Sequence, residues 1–128
     1  MAIKHILVTS APPPGGTYSH GASANGFLYT CGMGPIDPST GKVVGEQIEE
    51  QTRQVMRNLE TILAAEALTL SDVVKVTTHL HNLERDFAGF NRAYTEFFTG
   101  PAPARTTVGS QLMNILLEVD VVAAYPKW

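Results

Sequence analysis

The sequence predicts an α+β domain, a mixed sheet of about six strands with two helices packed on one of its faces. Three patterns carry that expectation. Apolar residues recur at spacings of three and four over residues 46–66. A second, aromatic-rich repeat of similar period runs from Asn82 to Phe98, and β-branched residues alternate over 72–81 and 116–123. A chain of 128 residues suits one core, so residues 1–128 are expected to form a single domain.

Residues 3–8 read as a first strand. Ser10-Ala11-Pro12-Pro13-Pro14-Gly15-Gly16 ends it, because three prolines remove backbone donors and two glycines loosen the chain. Strands over 18–24 and 27–33 flank Asn25-Gly26, the pair favoured in type I′ hairpin turns, so Phe27, Tyr29 and Cys31 face away from Leu28, Thr30 and Gly32. Asp37-Pro38-Ser39-Thr40-Gly41 is a turn, followed by an extended piece over 42–44. The first helix, 46–66, aligns Ile48, Thr52, Val55, Met56, Leu59, Ile62 and Leu63 on one face. Glu46, Glu49 and Glu50 favour its positive end, with no Ser or Thr at the cap.

The strand over 72–81 alternates Val74, Val76, Thr78 and Leu80 against Val73, Lys75, Thr77, His79 and His81. Asn82 caps the second helix, whose Phe87, Phe90, Asn91, Tyr94, Phe97 and Phe98 make an aromatic face that needs a sheet to cover it, and Gly100-Pro101 stops it. Strands over 104–109 and 116–123 follow. The last puts Leu117, Val119, Val121 and Ala123 on one side and Glu118, Asp120 and Val122 on the other.

Two helices cover one side of such a sheet. The other side, expected to carry Tyr29, Thr77, His79, Arg105, Thr107, Glu118 and Asp120, is too polar for a dry core and has too many Val and Phe neighbours to stay open. A homo-oligomer whose sheets face one another is therefore expected. The net charge of -3, with no like-charge run longer than Glu49-Glu50, gives no footprint for nucleic acid. No run of 18 apolar residues suggests a membrane span. The single cysteine, Cys31, allows neither an internal disulfide nor a CxxC pair, which points to a cytoplasmic chain.

Several residue groups can carry chemistry. Arg105, inside Pro103-Ala104-Arg105-Thr106-Thr107-Val108-Gly109, either forms a structural ion pair or grips a planar anion through two parallel hydrogen bonds. Glu118 and Asp120 share a strand face, where one of them is an ion-pair partner or a proton-transfer group. They lack the aromatic platform expected of a two-carboxylate glycosidase. His79, His81 and Asp120 are a scattered set for zinc. Cys31 is a small hydrophobe or a thiol nucleophile with His20 as base, and Ser19 has no GxSxG elbow around it. There is no phosphate-binding GxxxxGK[ST] or GxGxxG, and no cofactor or metal is expected.

Pro103-Ala104-Arg105-Thr106-Thr107-Val108 occurs together with Gly16-Thr17-Tyr18-Ser19-His20, Asp37-Pro38-Ser39-Thr40-Gly41, Gln51-Thr52, Asp72-Val73-Val74-Lys75, Phe90-Asn91-x-x-Tyr94 and Leu117-Glu118-Val119-Asp120. Occurring in the family's order along nearly the whole chain, they resemble the RidA family, also called YjgF/UK114. The resemblance implies a fold like that of bacillus-type chorismate mutase, assembled as a homotrimer with three pockets between neighbouring subunits and no cofactor. It also implies hydrolysis of reactive enamines and imines, such as 2-aminoacrylate/2-iminopropanoate and 2-iminobutanoate, to 2-keto acids and ammonia. Arg105 matches the family's carboxylate-binding arginine and Glu118 the acid that handles the attacking water. Thr107 stands where many members carry Cys or Ser, and Tyr18 and Asn91 match pocket residues. Cys31-Gly32-Met33 replaces a common Ser-Gly-Gln, His20 replaces Gln, and the 110–116 loop is shorter, changes expected to retune the pocket rim. Two alternatives remain: a related deaminase for another carboxylated enamine, of aminomuconate or pyrimidine-breakdown type, and a trimeric 2-keto acid binder without turnover.

Overall fold

The computed structural model describes residues 2–127. Its strands are β1 (Lys4–Ile6), β2 (Gly21–Ala24), β3 (Phe27–Thr30), β4 (Val73–Leu80), β5 (Ala104–Gly109) and β6 (Leu117–Ala124), and its helices are α1 (Ile48–Ala65) and α2 (Leu83–Thr95). They form one six-stranded sheet in the order β1-β2-β3-β6-β4-β5. All neighbours are antiparallel except β4 and β5, whose parallel pairing is what the crossover through α2 requires.

Both helices lie on one side of the sheet. Val55, Met56, Leu59, Ile62 and Leu63 of α1 are wholly buried with Val76, Leu80, Leu117 and Val119 of the sheet. Each such side chain contributes about 1.5–3 kcal/mol by leaving water. Phe90, Ala93 and Tyr94 bring α2 into the same core. No helix among the described residues is long and apolar enough to cross a membrane.

Local chemistry explains most boundaries. Asn25 and Gly26 both have positive φ, 53° and 84°, as the type I′ reading requires. The α1 entrance lacks Ser or Thr and uses Gln47 instead, with the Glu50 carboxylate reaching back to accept its backbone N–H at 3.4 Å. Asn82 caps α2, accepting the Arg85 N–H at 3.1 Å.

Three expectations are corrected. The hairpin strands are shorter than 18–24 and 27–33, because the ladder ends at Gly21↔Thr30 with one further bond from the Cys31 N–H to the His20 carbonyl at 2.8 Å, and Met33 pairs with Val119 instead. An irregularity between Val73 and Lys75 leaves Val73 buried and Val74 48% exposed, so Val74 does not share the face of Val76, Thr78 and Leu80. Finally, Arg105 and Thr107 are not on the open face. The parallel register sets them beside Val76 and Thr78, both wholly buried, so they lie on the helix side. The open face carries Tyr29, Lys75, Thr77, His79, Thr106, Glu118 and Asp120.

Candidate functional site

The residues singled out by sequence fall into two groups within one chain. The first lines a cleft of about 470 Å³ that includes Tyr18, Cys31, Gly32 and Glu118. Its floor is set just beyond β3, where Met33 and Val119 exchange both backbone hydrogen bonds at 2.8 and 3.1 Å, drawing Gly32 against β6. A Cβ on Gly32 would collide with the Glu118 carboxylate, so only glycine lets this acid lie on the backbone there. Met33 itself is 4% exposed. Its thioether packs in the core, and its part in the site is to hold this strand in place.

The proline loop forms another wall. Tyr18 is half exposed, and its hydroxyl accepts the Gly15 N–H at 2.9 Å, folding the loop on itself. His20 is buried and locks the base of the loop. Its Nδ1 accepts the Val8 N–H at 2.9 Å, which leaves the proton on Nε2 to be donated to the Pro12 carbonyl at 2.7 Å. With both nitrogens occupied, His20 is a structural residue. Neither nitrogen is left free to serve as a base for Cys31.

Burial pushes the Cys31 thiol up to about 11, opposed by a backbone hydrogen bond and reinforced by the negative charges of Glu118 and Asp120. A nucleophilic thiolate is thus nearly absent at neutral pH. The Cys31 Sγ donates to the Met33 Sδ at 3.5 Å instead. Asp120 is raised above the usual carboxylate range by burial, with His79 and Lys75 pulling the other way. Among the described residues no three His, Cys, Asp or Glu side chains converge to hold a metal. His79 binds the Ser110 hydroxyl at 2.6 Å, and His81 accepts the Leu112 N–H at 3.0 Å.

The second group surrounds Arg105. Its Nη2 donates to the Asn91 Oδ1 at 2.7 Å, and the guanidinium carbon sits 4.7 Å from the Tyr94 ring centroid, 5.0 Å from Phe90 and 6.0 Å from Phe87. Such stacking attracts the cation without neutralising it. Burial raises the Tyr94 hydroxyl above its ordinary range, with the guanidinium opposing. Among the described residues no carboxylate pairs with this half-buried arginine, whereas Arg53, Arg85 and Arg92 each have an acidic partner. Thr107 lies two residues along β5 on the same face.

Arg105 and Glu118 are therefore not neighbours. β4 lies between their strands, and the register puts them on opposite faces of the sheet. An ion pair between them inside one subunit, one of the sequence readings, does not form. The aromatic cradle of Arg105 was missed as a functional feature, although the i, i+3, i+7 spacing of Phe87, Phe90 and Tyr94 around Asn91 signals one helix face. Pro13, Ile36, Met113 and Ile115, which line the cleft, carried no sequence signal because they come from separate loops.

Comparison with known proteins converges on one family. A family model described as Endoribonuclease L-PSP matches residues 8–125. The chain is 40% identical over 124 residues to a RutC family protein of Pyrococcus horikoshii, covering 94% of this chain and 98% of that one. It is 38% identical over 123 residues to Reactive Intermediate Deaminase A, chloroplastic, of Arabidopsis thaliana, covering 94% of this chain and 65% of that protein. The crystal structure of E. coli TdcF with bound serine superimposes with a TM-score of 0.89 at 28% identity, covering 96% of this chain and 99% of that one.

Proposed function

This chain belongs to the RidA family (YjgF/UK114, Endoribonuclease L-PSP), and on that premise we propose that it hydrolyses small carboxylated imines to 2-keto acids and ammonia in pockets shared between the subunits of a homotrimer. The observation that carries the reading is Arg105: a half-buried guanidinium, steadied by Asn91 and three aromatic rings, with no acidic partner in its own chain among the described residues. Holding an arginine unneutralised in this way favours an external carboxylate.

The chemistry follows from that grip. Two parallel hydrogen bonds from Arg105 fix the substrate carboxylate, which fixes the adjacent C=N carbon relative to the neighbouring subunit's cleft. Glu118, resting on the Gly32 backbone, accepts a proton as water adds to that carbon and returns one to the nitrogen as the C–N bond breaks. Thr107 and Tyr18 line the path, and no cofactor takes part. Enamines such as 2-aminoacrylate enter as their imine tautomer, 2-iminopropanoate, and 2-iminobutanoate is the next homologue. The similarity to a reactive intermediate deaminase and to a serine-bound structure supports a small carboxylated substrate. The acidic balance of the chain, with Lys4, Arg53, Arg85 and Arg92 already paired, favours this reading over an RNA substrate.

The test is a coupled assay in which a serine or threonine dehydratase generates the imine. The parent is expected to accelerate keto-acid formation. Arg105→Ala is expected to raise KM sharply, and Glu118→Gln to lower kcat about 10²–10⁴-fold. No acceleration by the parent overturns the proposal, and saturable keto-acid binding without turnover reassigns the chain as a binder.

A further inference from the structure

Helix α2 and the turn after it carry five aromatic rings, Phe87, Phe90, Tyr94, Phe97 and Phe98, and only Tyr94 has a hydroxyl. By the ordinary rules of a core that oxygen is out of place. Tyr94 is 6% exposed, its hydroxyl is closed off from solvent, and nothing among the described residues hydrogen-bonds to it. A phenylalanine would fill the same space beside Phe90 and Phe98, whose ring centroids lie 5.2 and 4.8 Å away, without burying an unpaired polar group. The chain's own atoms seal the hydroxyl, so an adjoining subunit cannot supply the partner it lacks.

One group of opposite character lies against it. The Arg105 guanidinium carbon is closer to the Tyr94 ring centroid, at 4.7 Å, than to those of Phe90 and Phe87, at 5.0 and 6.0 Å. The Asn91 Oδ1 takes one guanidinium N–H at 2.7 Å, and a carboxylate gripped by the fork takes two more, which leaves N–H groups to be satisfied away from water. Burial pushes the Tyr94 hydroxyl up and keeps it protonated, while the Arg105 charge and then an N–H directed at the phenol pull the other way, short of a hydrogen bond. The oxygen thus keeps free lone pairs beside a cation with donors to spare.

We propose that Tyr94 is a positioning residue for Arg105: its hydroxyl oxygen accepts a guanidinium N–H as the fork engages the substrate carboxylate, so that Asn91 and Tyr94 together fix the plane of the two gripping donors. This rests on the imine hydrolase reading above. Tyr94 touches neither the C=N carbon nor the attacking water and acts only through the arginine. The hydrogen bond belongs to carboxylate binding and persists while water adds and the C–N bond breaks, so it lowers KM and leaves kcat alone.

Tyr94→Phe tests this, because it keeps the ring and its stacking and removes one oxygen. In the dehydratase-coupled assay KM is expected to rise about tenfold at parental kcat, the loss typical of one hydrogen bond to a charged group. The Kd for pyruvate, measured by calorimetry, is expected to weaken by the same factor. The urea midpoint is expected to equal or exceed the parental one, since an unpaired buried hydroxyl has been removed. In an Arg105→Lys background, which lacks the fork, Tyr94→Phe is expected to change KM no further. A parental KM, a raised KM with a lower urea midpoint, or a further rise in the Arg105→Lys background overturns the role of Tyr94 and leaves the hydrolase reading intact. Should the parent accelerate nothing, the hydrolase reading falls and the pyruvate titration decides Tyr94 by itself: a weakened Kd upholds its hold on Arg105, and an unchanged one overturns it.

Discussion

Gly32 illustrates how a residue without a side chain controls one that has chemistry. The Met33–Val119 backbone exchange presses the strand end onto β6, and the Glu118 carboxylate occupies the space of the missing Cβ. Gly32→Ala is expected to push Glu118 aside and lower kcat about 10²-fold, measured in the dehydratase-coupled assay, while circular dichroism stays that of the parent. A parental kcat would separate Glu118 from the reaction. Neighbouring Cys31 shows the reverse case, a reactive residue type disabled by its surroundings: burial and two nearby carboxylates keep it a thiol. The sequence could supply both the Cys31–His20 pair and the bland alternative. Only the hydrogen bonds of His20 to Val8 and Pro12 decide between them.

Helix α2 carries most of the arginine's surroundings, so its packing bears directly on the site. Gly89 faces α1, where an added Cβ would lie 2.6 Å from the Ile48 Cγ2 and 3.2 Å from the Glu49 carboxyl carbon. Gly89→Ala thus sets two effects against each other: about 1 kcal/mol gained in helix propensity and about 1–3 kcal/mol lost to overpacking. The expected outcome is a net loss of stability in urea unfolding, with a raised KM because Phe90, Asn91 and Tyr94 move with the helix. A stabilised variant would mean that the two helices separate freely. At this scale the sequence is most legible, since both helices and the alternation of β6 follow from periodicity. What it hid was the β4 irregularity, where one residue out of register exchanges the faces of Val73 and Val74.

The complete molecule poses the problem of two half-sites. Arg105 faces the helices from the edge strand β5, and Glu118 lies in a cleft on the other side of the sheet, two strands away. The proposed cyclic assembly would solve it by joining the arginine of one subunit to the acid of the next. Complementation tests this. Arg105→Ala and Glu118→Gln chains, each far less active than the parent at low substrate, are expected to regain about a quarter of parental activity when assembled at random in equal amounts, since one interface in four then pairs intact Arg105 with intact Glu118. Mixed assemblies that stay inactive would put both residues in one subunit's site and contradict the shared pocket. The -3 charge of each chain is compatible with an anionic substrate here, because the half-buried Arg105 guanidinium dominates the field at short range around it.

Readable from the residues alone were the α+β class, the two amphipathic helices, the Asn25-Gly26 hairpin turn and the candidacy of Arg105 and Glu118. These depend on local period, turn chemistry and motif, which are written in consecutive residues. The tertiary structure alone decided which face each strand presents, that His20 is locked and Met33 buried, that three aromatic rings hold Arg105, and that loops distant in sequence build the cleft around Glu118. Those properties depend on register and on contacts between segments far apart in the chain. A shift of one residue in pairing reverses every side chain on a strand, and no local pattern records it.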